Sequence, residues 1–377
     1  MLEYLPDTGV GAIWLVVFLL ALAIQLYYFY FTYMRIAVFK PIQQTTHQPP
    51  VSVIICARNE EENLAKFLPK VLEQEYPHFE VVVVNDCSFD KSIDVLKSFA
   101  HHYSNLKVAD IREVEGREHG KKFALTIGIK AASYETLLLI DADCYPSDKQ
   151  WIQKMMSAYA PGKQIVLGYG KYEPAGGLLN TLIRFDAFFI GVQYLSYALK
   201  GNPYMGVGRN LSYHRSLFFQ VKGFASHMHI QSGDDDLFIN QVANAQNTSV
   251  VIDKEAFTVS KPKQTWRTWF LQKKRHHTTA SYYRTEHKSS LALYPFSWYL
   301  FVASAIGGLF FEKNLLIISV GILLRTITQI VILHTAANKL AEKNLGWLSP
   351  VLEIIHRIFV YPTYILSTMF VKQRRWN

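Results

Sequence analysis

The stretch Thr136-Leu137-Leu138-Leu139-Ile140-Asp141-Ala142-Asp143-Cys144-Tyr145-Pro146-Ser147-Asp148 decides the fold of this chain. Its apolar run, Leu137 to Ile140, stops abruptly at two carboxylates spaced one residue apart. A short apolar run bounded by polar residues reads as a strand buried on both faces, as in a parallel sheet. Open α/β sheets bind their ligands beyond the carboxyl ends of such strands. Asp141 and Asp143 in that position make a hard oxygen site suited to Mg²⁺ or Mn²⁺ carrying phosphate oxygens.

The sequence on either side extends this pattern. Val51 to Ile55 is a first strand ending at Cys56-Ala57-Arg58-Asn59, and Leu64, Phe67, Leu68, Val71 and Leu72 follow at helical spacing, with Asn59 as the expected N-cap. Phe79 to Val84 is a second strand, stopping at a turn-rich loop from Asn85 to Asp90 before a helix carrying Ile93, Leu96 and Phe99. Leu106 to Val108 is a short third strand, and Gly120-Lys121-Lys122 opens a helix through Ala132. This alternation predicts an α/β fold with a doubly wound, mostly parallel sheet flanked by helices. Beyond Gln164 come Ile165 to Leu167, an aromatic-rich helix from about Leu178 to Leu199, and a loop with Gly201, Gly206 and Gly208. Ser232-Gly233-Asp234-Asp235-Asp236 then precedes a helix, and Val250 to Ile252 is a late strand.

The hydrophobic half of the composition is concentrated at the two ends of the 377 residues. Val10 to Tyr33 carries one Gln and no charge, long enough to cross a bilayer, and no basic region precedes it as in a secretory signal. Leu291 to Phe311 and Leu315 to Leu333 read as two further spans. A third candidate, Pro350 to Val371, contains Glu353, His356, Arg357 and Pro362, and reads more easily as re-entrant or interfacial. The expected divisions are an anchor at 1–34, a linker at 35–50, a catalytic domain at 51–260, a basic and aromatic interfacial region at 261–290, and one N-terminal plus two to three C-terminal membrane helices, the latter within 291–377. The net charge of +9 sits at the borders of the apolar segments: Arg35 and Lys40, then Lys261, Lys263, Arg267, Lys273, Lys274 and Arg275, then Lys372, Arg374 and Arg375. That placement points to membrane lipids and diphosphate as partners, not nucleic acid. By the positive-inside rule it puts the central domain on the cytoplasmic face of an inner membrane. Cys56, Cys87 and Cys144 form no disulfide framework and read as buried small residues.

Six motifs in order, VSVIICARNEEENL (51–64), VVVVNDCSFD (81–90), GKKFALTIGI (120–129), LLLIDADC (137–144), SGDDDLF (232–238) and QKKRH (272–276), resemble the family-2 glycosyltransferases of GT-A fold over roughly Val51 to His277. The resemblance implies that Ala57, Arg58, Glu60 and Asp86 hold the nucleotide, with Lys121 near the base or phosphates. Asp141 and Asp143 become the DxD motif, Asp141 facing both nucleotide and metal and Asp143 being the stronger metal ligand. An Asp of the later loop becomes the general base of an inverting displacement: counting from Gly233 favours Asp235, counting back from Leu237 favours Asp234, and Asp235 is preferred. The family's QxxRW motif stands here as Gln272-Lys273-Lys274-Arg275-His276, so Gln272 and Arg275 keep their place near acceptor and diphosphate while the terminal Trp is lost. Trp269 offers an alternative stacking ring, and Gly208 falls beside the acceptor.

Taken singly, each motif has a plainer explanation. Asp141 and Asp143 alone read as a solvated turn, Asp86 as a helix cap, Arg58 and Glu60 as a surface pair, Lys121 as solvated surface, and Asp234 to Asp236 as electrostatic support for a helix N-terminus. Trp266 and Trp269 alone are membrane-belt residues. Together they predict a metal-dependent transferase moving sugar from a nucleotide-sugar donor, a UDP-sugar by preference, to a lipid-linked or other membrane-associated glycan acceptor. A sugar nucleotidyltransferase and a non-catalytic membrane scaffold are the alternatives.

Overall fold

The computed structural model describes residues 9–40, 48–112, 120–230 and 232–362. Strands β1 (Val51–Ala57), β2 (Phe79–Asp86), β3 (Leu106–Ile111) and β4 (Thr136–Leu139) are parallel and lie in the order β3-β2-β1-β4. The chain therefore winds outward from β1 through β2 to β3, then returns to place β4 on the other side of β1. That reversal opens a crevice at the carboxyl ends of β1 and β4, where a ligand can enter between diverging loops. The expected doubly wound sheet is thus present, and β1 and β2 each run two residues further than the apolar pattern indicated, taking Ala57 and Asp86 into the strands.

Burial on both faces explains the unbroken apolar runs. Ile54, Val82, Leu137 and Leu139 face one core, whereas Val53, Ile55, Val81, Val83, Leu138 and Ile140 face the other, the two-residue period of a strand sorting one run into two layers. The helix Lys121–Ala131 packs directly on this sheet at Gly128, where a Cβ would meet Ile54 Cγ2 at 2.7 Å and Val84 Cγ2 at 3.0 Å. Glycine there permits the close approach.

Past β4 the chain builds β5 (Cys144–Pro146), β6 (Ile165–Leu167), β7 (Gly170–Tyr172), β8 (Leu211–His214), β9 (Thr248–Val250) and β10 (Thr258–Ser260). Antiparallel β8 extends the main sheet from β4, followed by β6 and β9. The late strand lies two residues before its expected position, and Val251 continues the ladder by donating to Leu167 O at 3.0 Å. A second sheet, β5-β10-β7, is absent from the sequence-based expectation. Its first strand starts at Cys144, so the carboxylate pair lies in the short link between the two sheets.

Among the described residues, three helices are long and apolar enough to cross a membrane: Val10–Ala37, Thr285–Gly308 and Glu312–Lys339. They match the one N-terminal and two C-terminal spans expected. The third C-terminal candidate begins earlier than expected, with a helix Leu345–Ile355 that passes into a π-helical turn His356–Val360; its continuation past residue 362 lies outside the described residues. Glu353, which counted against a span, is buried and compensated. Arg325 Nη2 donates to Glu353 Oε2 at 2.8 Å and to Gln25 Oε1 at 2.9 Å, Gln329 Nε2 donates to Glu353 Oε2 at 3.0 Å, and the Tyr294 hydroxyl donates to Glu353 Oε1 at 2.8 Å. Residues from four helices thus share one polar network.

Removing one partner of a buried pair strands the other charge, at about 3–5 kcal/mol. Glu353→Leu is therefore expected to destabilise the detergent-solubilised protein by that amount, and Arg325→Leu combined with Glu353→Leu to recover most of it. Thermal unfolding of both variants checks this; a double variant no more stable than the single one would contradict it.

Candidate active site

The loops that close the crevice beyond β1 and β2 are tied to each other. Asn59 N donates to Ser88 Oγ at 3.0 Å, Asn59 Oδ1 accepts from Phe89 N at 2.8 Å, and Glu61 N donates to Asp90 Oδ2 at 3.0 Å. The helix Glu61–Leu72 is thus capped from the neighbouring loop, and the expected N-cap Asn59 instead has φ +54° and holds Phe89. Cys87 also adopts positive φ, +52°, an uncommon conformation for a residue other than glycine. At this edge Ala57 and Asp86 are fully buried at their strand ends, with Arg58 and Glu60 partly buried just beyond Ala57.

Next to them the acids converge. Lys121, the first residue of its helix, places Nζ 2.9 Å from Asp141 Oδ1 and 2.9 Å from Asp234 Oδ2. Burial alone would lower the ammonium, but Asp141, Asp234 and Asp235 outweigh it and hold Lys121 well above the lysine range. Desolvation and the Asp141 charge push Asp143 up, while Glu60 is raised by desolvation and then by Asp143 and Asp141, so all three carboxylates share one field. Lys121 lies between the DxD segment and the later acidic loop, so it bridges them where the sequence-based reading had placed it by the base or phosphates.

The three acids of that loop have three different fates. Asp234 is buried, and Lys121 overcomes the desolvation to keep its carboxylate below the usual range. Asp236 turns inward, accepting from the hydroxyls of Thr279 and, at 2.7 Å, Tyr283. Asp235 is the N-cap of the helix Asp236–Val242: Oδ1 accepts from Asp236 N at 2.8 Å and Oδ2 from Gly208 N at 2.6 Å. Desolvation, Asp234 and Asp236 raise it to about 7. Two backbone N–H groups fix its orientation, and at that value it can exchange a proton near neutrality. Asp234 is committed to its ion pair, which weighs against it as the base.

Gly208 lies against Asp235, where an added Cβ would stand 3.4 Å from Oδ2 and 3.6 Å from Lys121 Nζ. On the helix Trp266–His277, Gln272 is partly buried and its Nε2 lies 3.5 Å from the Tyr172 hydroxyl, while Arg275 is exposed. Trp269 is corrected: its ring is 1% exposed and packed with Trp266 and Phe270, so it fills a core and presents no surface to a sugar.

Two basic residues escaped the sequence-based reading. The Lys263 charge acts on both Asp143 and Glu60, and Arg209 acts on Asp143 and Cys144. Lys263 had been counted with the membrane border; the run Gly206-Val207-Gly208-Arg209-Asn210, with two glycines beside a cation, was the available signal for Arg209.

The donor set fits a hard divalent cation. One ligand atom each of Asp141, Asp143 and Cys144 lies within 4.8 Å of the others. The Cys144 thiol donates to Asp143 Oδ1 at 3.2 Å, and the two carboxylates supply the hard oxygen donors such a cation takes.

Residues 52–221 match the family model described as Glycosyl transferase family 2. Glycosyltransferase AglE of Haloferax volcanii is 32% identical over 194 residues, 50% of this chain and 60% of that protein. A dolichyl N-acetyl-α-D-glucosaminyl phosphate 3-β-D-2,3-diacetamido-2,3-dideoxy-β-D-glucuronosyltransferase of Methanococcus voltae is 26% identical over 136 residues, 35% of this chain and 40% of that one. The matched regions thus span less than two thirds of either relative. In fold, the chain is similar to a mannosyltransferase of Pyrobaculum calidifontis solved in complex with GDP-Man and Mn²⁺, with TM-score 0.58 and 18% identity, covering 89% of this chain and 100% of that one.

A carboxyl raised in the folded state binds more protons there than in the unfolded chain, so its contribution to stability is full below about pH 4 and is lost as pH rises to about 7. Asp235→Asn keeps the neutral form at all pH values. The variant's stability relative to wild type is expected to rise between pH 3.5 and pH 8 by at most roughly 4 kcal/mol, at 1.36 kcal/mol per unit. Chemical unfolding at the two pH values measures the gap, and a gap independent of pH would refute the assignment.

Proposed function

We propose, from the match of residues 52–221 to the glycosyl transferase family 2 model, that the chain transfers a sugar, with inversion, from a nucleotide-sugar donor to a membrane-associated acceptor. The observation that carries this reading is Asp235, held by the Gly208 N–H and raised to about 7, one lysine away from the carboxylate pair at the end of β4.

In this reading Asp235 takes the proton of the acceptor hydroxyl as that oxygen attacks the anomeric carbon, and the bond from that carbon to the diphosphate breaks. Two backbone N–H groups, of Gly208 and Asp236, aim the carboxylate, so little reorientation is needed. Asp143 and Asp141 would hold Mg²⁺ or Mn²⁺, which when bound offsets the charge of the leaving diphosphate. Ala57, Arg58, Glu60 and Asp86 serve the nucleoside, with a UDP-sugar preferred. Gln272 and Arg275 serve the acceptor and diphosphate.

A lipid-linked saccharide or glycolipid acceptor is supported by the three apolar helices, since confinement to one surface raises its effective concentration at the site. The relative from Methanococcus voltae, whose name states a dolichyl phosphate-linked acceptor, supports it further. The basic residues at the span borders favour the cytoplasmic face of an inner membrane.

Product identity tests the reaction class. Full-length protein with Mn²⁺, a panel of nucleotide sugars and a lipid-linked acceptor is expected to release nucleoside diphosphate; no release there, with inorganic pyrophosphate formed instead from a nucleoside triphosphate and a sugar 1-phosphate, would establish the nucleotidyltransferase. Asp235→Asn is expected to lower kcat by about 10²–10⁴ while donor affinity stays within about twofold. Wild-type kcat should rise with pH through about 7, since the base works only when ionised.

A further inference from the structure

We propose that Arg209, supported by Tyr172 and Gln272, is a phosphate-binding subsite on the side of the crevice formed by the second sheet. This extends the glycosyl-transfer reading and rests on it, because it names a contact for a phosphate that the reaction must handle.

The side chain is placed by three independent features. Its guanidinium lies over the Tyr172 ring, with Cζ 4.7 Å from the centroid. Its stem lies against Gly170, where a Cβ would come within 2.6 Å of Nε and 2.7 Å of Cγ, so only a bare backbone at position 170 leaves room for it. Gly170 and Tyr172 are two apart on β7 and therefore share a face, along which Arg209 lies flat. The backbone beneath is fixed by Asn210, whose Nδ2 donates to Tyr169 O at 2.9 Å and Ala256 O at 2.8 Å while Oδ1 accepts from Trp151 Nε1 at 3.0 Å.

This built cation retains unspent polarity. Arg209 Nε is buried with no hydrogen-bond partner among the described residues, and so is Gln272 Oε1, whose Nε2 reaches the Tyr172 hydroxyl. A buried donor left unmet is a cost, so a ligand that meets it gains affinity. A planar guanidinium held flat on an aromatic ring is suited to an oxyanion, and phosphate is the oxyanion this crevice must bind. Gln272 Oε1 can accept from a hydroxyl of the same ligand. The Arg209 charge already reaches Asp143, so the phosphate would lie between the two. It can come from the donor diphosphate or from the phosphate of a lipid-linked acceptor.

Two probes separate those sources: pyrophosphate with Mn²⁺, and farnesyl phosphate with farnesol as its uncharged control, each titrated into full-length protein in detergent. Arg209→Gln is expected to weaken one phosphate probe by about tenfold or more, and Arg209→Lys to fall between, since it keeps the charge and loses the plane. Loss confined to pyrophosphate assigns the donor, and loss confined to farnesyl phosphate assigns the acceptor. If Arg209→Gln fails to fold, Tyr172→Leu, which removes the stacking ring, must weaken the same probe. Variants that melt like wild type and bind both probes within about twofold overturn the subsite alone. A wild-type protein that binds neither probe overturns the glycosyl-transfer reading with it.

Discussion

One ammonium makes the crevice possible. Glu60, Asp141, Asp143, Asp234, Asp235 and Asp236 come from three separate stretches of sequence, and two like charges 4 Å apart repel by about 4 kcal/mol at an effective dielectric of 20. Lys121 meets this by spanning Asp141 and Asp234 at 2.9 Å each. It does not reach all six equally, and the inequality creates the chemistry. Asp234, in direct contact, stays ionised; Asp235, next in sequence and further from the cation, is raised to about 7. Neighbouring acids are thereby given different proton affinities by position alone.

The apolar helices are bound into the same structure. Asp236 accepts from Thr279 and Tyr283, in the segment between the helix Trp266–His277 and the span Thr285–Gly308. Two residues into that span, His287 contacts Asn240 Nδ2 at 2.9 Å and Asn202 Oδ1 at 2.9 Å. On another side Asp186 pairs with Lys273 and, at 2.9 Å, hydrogen-bonds His356, and the Lys273 charge together with that hydrogen bond overcomes its burial to hold it well below the carboxylate range. The helix bearing Gln272 and Arg275 is thus clamped between the catalytic domain and the apolar C-terminal region. An acceptor arriving along the membrane would meet side chains whose positions are already set.

Much of this was legible in the residues, for identifiable reasons. Runs such as Val81 to Val84 are buried on both faces and leave a strong signal, as do spans with hardly a charge. Strands β5, β7 and β10 have three residues each and pair across long separations, so no local pattern marks them. Glu353 read as an obstacle because its partner, Arg325, lies on a different helix. Asn59 read as a cap because Asn commonly caps, but the loop after β2 supplied Asp90 instead. Trp269 fell on the wrong side of its helix for stacking, a matter of helical phase that spacing from Gln272 alone did not settle.

The unread second sheet matters most to the site. The pair Asp141 and Asp143 begins at the end of a strand of one sheet and runs into the first strand of another, so neither carboxylate sits on a free loop. Cys144 secures the join: its Sγ lies 2.8 Å from Ser260 Oγ on β10 and also donates to Asp143. The same β10 pairs with β7, which carries the face on which Arg209 rests. Three short strands therefore fix the spacing between an acidic wall and a basic one. The phosphate of the proposed reaction would lie between both walls, and their separation is set by hydrogen-bonded backbone, not by flexible side chains.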